Sequence, residues 1–168
     1  LRTAIRVLVP VGSFGMRSAE ELYRGIGRIP WEEFMSVEDS LAIRCTLNTP
    51  WLDHSQFAAQ KAKDAIVDRF RERFKQRPNV DLDEPTLRIH LHIIDDQCHV
   101  SLDSSGTSLH ERGYRQDTDL APINEVLAAG MVQLSGWQKI HPLVDPMCGS
   151  GTIAIEAAAM ARGLAPGR

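Results

Sequence analysis

Cysteine is scarce and badly placed for pairing: Cys45, Cys98 and Cys148 are the only three in 168 residues, and no two stand in CxxC spacing. An odd count at such separations argues against a disulfide framework or a thiolate zinc site and points to a reducing setting. No apolar run approaches the roughly 20 residues that span a bilayer, and the N-terminus lacks the layout of a secretory signal. A cytoplasmic protein with no membrane partner is therefore expected. An excess of positive charge is also missing. Lys and Arg number 19 against 22 Asp and Glu, a net charge of −3, so any contact with nucleic acid must rest on a local patch. Repeats and low-complexity tracts are absent. What remains is an ordinary globular composition, 43% hydrophobic and 24% charged, with room for one large domain or two small ones. The chain opens on Leu1 rather than Met, and Arg168 falls just past an expected helix, so an excised piece of a longer protein is expected.

The pattern along the chain predicts alternating elements. Ile5, Val7, Leu8 and Val9 suggest a strand closing at Pro10 and Gly12, and Ser18 with Glu21 resembles a capping box for a short helix ending near Gly25 or Gly27. Leu41 to Leu47 reads as a strand. From Ser55 to about Phe74, Ala58, Ala62, Ala65, Ile66, Phe70 and Phe74 recur at helical spacing and predict the longest helix, with one buried stripe. Leu87, Ile89, Leu91 and Ile93 alternate, as do Cys98, Val100 and Leu102. A two-residue turn at Asp95 and Asp96 then pairs Ile94 with Gln97 and puts both apolar sets on one face. A polar linker follows to about Ala121. Pro122 begins a helix whose Ile123, Val126, Leu127, Gly130, Met131 and Leu134 form the expected inner face, stopping at Gly136. A strand at Ile140 to Val144, a glycine turn and a helix from Thr152 to Arg162 complete an α+β module followed by the opening of an α/β domain.

The glycine turn carries the strongest chemical signal. Asp145-Pro-Met-Cys-Gly149-Ser-Gly151-Thr152 follows the apolar strand, and its two glycines would let a ligand approach the N–H groups that open the next helix. A phosphate-gripping P-loop needs Lys before the final Ser or Thr, which Gly151-Thr152 does not provide. The match of residues 149–154 to G-x-G-x-x-A is weak evidence for a dinucleotide. Asp145 at the mouth of the loop suits a cationic cofactor and would repel a pyrophosphate. Cys148 reads as a small packing residue rather than a nucleophile.

Charge is concentrated elsewhere. Residues 61–77 hold seven basic residues against Asp64, Asp68 and Glu72, in a chain that is acidic overall. Such a helix could grip phosphates, with Lys61, Lys63, Arg69, Arg73 and Arg77 as candidates, or could be a solvated face knitted by i, i+4 pairs. In the linker, Arg112, Tyr114 and Arg115 offer guanidiniums and a ring for an unpaired base, although Tyr114 could equally pack the linker onto a domain. The hairpin register sets His92 opposite His99, with His90 close by. With no Cys or carboxylate at ligand spacing, a solvated sheet face is expected there rather than a metal site.

These segments in order, Lys61 to Phe70, Arg77-Pro-Asn-Val, Val100 to Gly106, Leu109 to Arg115, Ala121 to Ala129 and Asp145 to Thr152, resemble the THUMP-domain RNA guanine methyltransferases. The resemblance covers nearly the whole chain. It is nearest to bacterial enzymes that methylate guanine N2 in large-subunit ribosomal RNA, proteins often labelled N6-adenine DNA methylases. It implies a THUMP-like RNA-binding module with part of a ferredoxin-like region, then the first elements of a Rossmann-like methyltransferase domain. The expected ranges are 1–30 for the ferredoxin-like part, 31–105 for the THUMP domain, 106–121 for the linker and 122–168 for the methyltransferase portion. The resemblance further implies S-adenosylmethionine as cofactor, held by Asp145, Pro146, Gly149, Ser150, Gly151 and Thr152, and structured ribosomal RNA as partner. Asn124 departs from the basic residue that relatives often carry there. The family's Asn/Asp-Pro-Pro-Tyr/Phe catalytic motif is not in this sequence and is expected beyond Arg168, so no catalytic residue is assigned within the chain. A DNA adenine methylase and a non-catalytic RNA-binding module are the two competing readings.

Overall fold

The computed structural model describes residues 1–114 and 122–166. The chain divides into two compact units, one formed by residues 8–106 and one by residues 1–7 with 107–168.

The larger unit is a mixed five-stranded sheet backed by two helices. Its strands are β1 (Leu8–Gly15), β2 (Ser40–Asn48), β3 (Asn79–Val80), β4 (Leu87–Ile94) and β5 (Gln97–Asp103), in the order β1-β5-β4-β2-β3. β2 lies parallel to β3 and β4, whereas β5 is antiparallel to both β4 and β1. The hairpin has the register read from its alternation, Ile94 opposite Gln97 and His92 opposite His99. Ile89, Leu91, Ile93, Cys98 and Val100 accordingly all point into the core. The first strand is displaced from its expected place. It runs on through Pro10 and Gly12 instead of closing there, and the register shifts between those two residues. Pro10 is tolerated because β1 is an edge strand and a bulge removes the need for an unbroken ladder.

Helix α1 (Ala19–Arg28) starts as its sequence suggests, with Ser18 Oγ accepting from the Glu21 N–H at 3.2 Å, while the Glu21 carboxylate accepts from Arg17 N–H at 2.6 Å. The second contact reaches one residue before the cap, a variation on the reciprocal box. Gly25 lets this helix sit against β1, since a Cβ there would lie 2.2 Å from the Phe14 ring. Helix α2 (Ser55–Phe74) has the expected bounds and buries Ala58, Ala62, Ala65, Ile66 and Phe70. Phe74 was expected to join this stripe but is 45% exposed, because α2 ends there at the left-handed Lys75 (φ 59°) and leaves the core. One core spans residues from both the 1–30 and 31–105 ranges, including Met16, Leu22, Trp31, Leu41 and Phe70.

An ion pair ties the connection after α1 to α2. Glu32, in a short 3-10 turn (Trp31–Glu33), accepts two hydrogen bonds from Arg69, at 2.7 and 2.9 Å, and a further one from Arg73. Arg69 also donates to the Gly27 carbonyl at 2.8 Å. The Arg69 hydrogen bonds hold the Glu32 carboxyl at about 2, against an ordinary 4.5. A carboxylate lowered on folding contributes stability that is complete above its unfolded value and is lost as pH falls through its folded one. The contribution of Glu32 therefore disappears between about pH 4.5 and about pH 2. We expect Glu32→Gln to cost about 2 kcal/mol at neutral pH and to flatten this acid limb. Denaturant titration followed by the fluorescence of buried Trp31 checks both; an unchanged midpoint at neutral pH would contradict it.

The smaller unit has two helices, α3 (Glu125–Leu134) and α4 (Thr152–Ala161). α3 leaves Pro122 outside its first turn because Asn124 is the cap: its Oδ1 accepts from Val126 N–H at 3.0 Å and Leu127 N–H at 3.3 Å. The inner face also differs. Glu125, Val126, Ala128, Ala129 and Val132 are buried, while Leu127, Met131 and Leu134 are exposed. The 3.6-residue period gives two apolar faces here, and packing against α4 selects the small-residue one. Residues 140–144 form no strand, and Ile140 and Val144 are more than 80% exposed. A strand exists only through a ladder with a neighbour, and none pairs with this segment among the described residues.

Candidate functional site

The basic helix divides its cations between two tasks. Arg69 and Arg73, expected to face RNA, are turned to Glu32, so these two charges serve the fold. Lys61, Lys63, Arg71 and Arg77 instead line a groove of about 630 Å³ where α2 faces α1 and β3. Tyr23 forms part of its wall. Its hydroxyl donates to Asp68 at 2.8 Å, its ring lies 5.3 Å from Lys61 Nζ, and the Asp68 hydrogen bond pushes the phenol up to about 12. Lys63 pairs with Asp64 at 2.8 Å, and Arg71 with Asp68 at 3.1 Å. These pairs are exposed or half-buried, so they exchange readily for phosphate. Arg71 and Tyr23 were not among the sequence candidates. Arg71 stands in the basic run, but only Glu32 distinguishes it from Arg69 and Arg73; nothing in the local sequence marks Tyr23.

The linker candidates are placed differently. Arg112 is buried, 3.5 Å from Glu156 Oε1, and donates to the Arg2 carbonyl at 2.5 Å. The Tyr114 hydroxyl donates to Glu156 at 3.2 Å. Arg112 is therefore enclosed by the protein, and the Tyr114 hydroxyl is engaged with the same carboxylate. Arg115 lies outside the described residues.

The glycine turn has the geometry its sequence demands. Gly149 (φ 51°) and Gly151 (φ 78°) both occupy the left-handed region, and Gly151 caps α4 with its carbonyl accepting from Ile155 N–H at 2.8 Å. Ahead of them the Asp145 carboxylate accepts from Met147 N–H at 3.0 Å, which holds it at the start of the loop. Gly151 N–H donates to the Cys148 carbonyl at 2.9 Å, and the Ser150 and Thr152 hydroxyls lie 3.1 Å apart. Thr152 is buried, whereas residues 146–149 are exposed. A Cβ on Gly149 would meet nothing closer than the Met147 carbonyl at 3.9 Å, so the space beside the main chain is open. A loop open along its backbone with one carboxylate at its mouth fits a cationic, amino-acid-like cofactor. Cys148 is exposed and so is not the packing residue its sequence context suggested, because the turn that carries it lies at the surface.

The histidines share the polar face of the sheet. His90 and His92 have ring centroids 6.3 Å apart, and His99 Nδ1 lies 3.1 Å from Ser13 Oγ. Among the described residues, no group of three His, Cys, Asp or Glu side chains could hold a metal ion. No helix among them is long and apolar enough to cross a membrane.

A mixed sheet with a groove on its helical side, lined by four cations beside Glu20, Asp64 and Asp68, is followed in the chain by a left-handed glycine turn that opens a helix. Two family models match these parts: a THUMP domain over residues 16–103, and an RMKL-like methyltransferase domain over residues 112–168. The chain belongs to the THUMP family and carries RMKL-like methyltransferase sequence after that domain. It is 49% identical to a ribosomal RNA large subunit methyltransferase K/L of Syntrophotalea carbinolica, over 99% of this chain and 24% of that protein. A crystal structure named as a predicted N6-adenine-specific DNA methylase from Listeria monocytogenes superimposes with a TM-score of 0.84 at 32% identity. Another, of a candidate methyltransferase complexed with SAH, gives 0.83 at 34%. Each covers 99% of this chain and 44% of the other. The chain thus spans from a quarter to less than half the length of these relatives.

Proposed function

We propose that the whole protein transfers a methyl group from S-adenosylmethionine to the exocyclic N2 amine of guanine in ribosomal RNA, and that this chain supplies the RNA-docking module and the cofactor loop. The observation that carries the reading is the presence, in one chain, of a groove lined by Lys61, Arg71 and Arg77 and of the Asp145 to Thr152 turn. SAH, bound in the related crystal structure, is what S-adenosylmethionine becomes once its methyl has left. When bound, the cofactor supplies an electrophilic methyl on a sulfonium. Such a displacement asks the protein chiefly for position, aligning the amine lone pair with the carbon–sulfur bond.

Asp145, Pro146, Gly149, Ser150, Gly151 and Thr152 would hold the methionine end of the cofactor. Asp145 answers its ammonium, and the two left-handed glycines keep side chains away from the main chain. The chain by itself is proposed to be inactive and to bind the cofactor weakly, since the motif that aims the amine is not in its sequence. Tight calorimetric binding of S-adenosylmethionine to the isolated chain would contradict that. In the whole protein, Gly151→Val places a β-branched residue at φ 78°. Strain of about 1–2 kcal/mol should weaken SAH binding about tenfold; equal affinity would show that the turn does not serve the cofactor. The reaction itself is tested with radiolabelled S-adenosylmethionine and undermethylated ribosomal RNA. Label in N2-methylguanosine is expected, and label only in N6-methyladenine of duplex DNA would overturn the assignment.

A further inference from the structure

The sheet has a second face that the groove does not use. Helices α1 and α2 pack on the side of Leu41, Ile89, Leu91, Ile93, Cys98 and Val100, so strand alternation sends the intervening residues to the other side. Two rows cross it. Thr46, His92, His99 and Ser13 lie side by side on β2, β4, β5 and β1, and Arg44, His90 and Ser101 form the neighbouring row. Arg44, Thr46, His99 and Ser13 are exposed. His90 Nε2 lies 3.2 Å from Thr46 Oγ1 and His99 Nδ1 lies 3.1 Å from Ser13 Oγ, contacts that hold the rings in place. The other charged groups facing this side are Arg88 on β4, which donates to the Asp83 carbonyl at 2.7 Å, and Asp103 at the end of β5. β1 contributes none, and at the hairpin turn Asp96 is paired with Arg17.

Aromatic imidazoles in a row, a guanidinium beside them and hydroxyls at both ends are the groups that receive splayed bases and their phosphates. A duplex, whose bases are stacked inside, could not use such a row. We propose that this open face is a second RNA-contact surface that takes a short single-stranded stretch, with bases on His92 and His99 and a phosphate on Arg44. The proposal rests on the reading of the protein as RNA-binding.

The test uses the full chain and a fluorescein-labelled mixed-sequence single-stranded oligoribonucleotide, with binding read by anisotropy at one fixed pH and salt concentration. His92→Asn combined with His99→Asn should weaken binding about tenfold. Arg44→Gln, at an exposed position, should weaken binding as well, and so should Lys61→Glu in the groove. If the His and Arg44 variants match the unsubstituted chain while Lys61→Glu still weakens binding, the second surface is overturned and the groove stands. If the unsubstituted chain binds a hairpin RNA but not the single-stranded oligoribonucleotide, the second surface falls and the groove stands; if it binds neither, both fall.

Discussion

Replacing Glu156 with Ala is expected to unfold the C-terminal unit. The Glu156 side chain is 2% exposed, and both of its oxygens are engaged: Oε2 with Arg2 at 3.0 Å, Oε1 with the Tyr114 hydroxyl at 3.2 Å and with Arg112 at 3.5 Å. Removing the carboxylate strands the Arg112 guanidinium, itself only 3% exposed, without a counter-charge. Breaking a buried pair from one side costs about 3–5 kcal/mol, which for a unit built on two short helices approaches its whole stability. Hydrogen exchange resolves the outcome: amides of α4 should lose protection while those of β4 and α2 keep theirs. Glu156→Gln, which retains the shape and an acceptor for Tyr114, should lose less. Unchanged protection in α4 after Glu156→Ala would show that the cluster is not what holds this unit together.

The second large effect concerns the groove. Lys61→Glu together with Arg77→Glu reverses two charges facing the open space beside Tyr23, without touching the Glu32 pairs that stabilise the fold. If both residues contact phosphates, affinity for structured RNA should fall on the order of a hundredfold at low salt. The slope of log affinity against log salt should lessen by about two. The matched double variant of Arg69 and Arg73 should instead lower stability, because those side chains answer Glu32. Equal loss of RNA affinity from both variants at matched stability would show that the groove is not the docking surface.

What could be read from the sequence was whatever a short stretch decides for itself. α2, the hairpin register and the Ser18 cap follow from periodicity within one or two turns of chain, and the structure reproduces them. The left-handed turn at Gly149 and Gly151 was legible for the same reason: few residues other than glycine adopt that conformation. The larger failures depended on partners distant in sequence. Seven basic side chains look alike from residue 61 to 77, and the separation of Arg69 and Arg73 from Arg77 is made by a glutamate 37 residues before Arg69. Arg112 was likewise claimed by Glu156. The buried face of α3 was misjudged because Ala128 and Ala129 fit closely against α4 where Leu127 and Met131 do not. Residues 140–144 have the composition of a strand but no ladder to join among the described residues.

Docking of structured RNA through the α2 groove is the proposal on which the others depend. The most direct measurement is equilibrium binding of the 168-residue chain to a hairpin RNA and to duplex DNA of the same sequence, at one fixed salt concentration. Tighter binding to the RNA by at least about tenfold is expected, a preference that Lys61→Glu with Arg77→Glu removes. Equal affinity for the two, or a preference for duplex DNA, would contradict it.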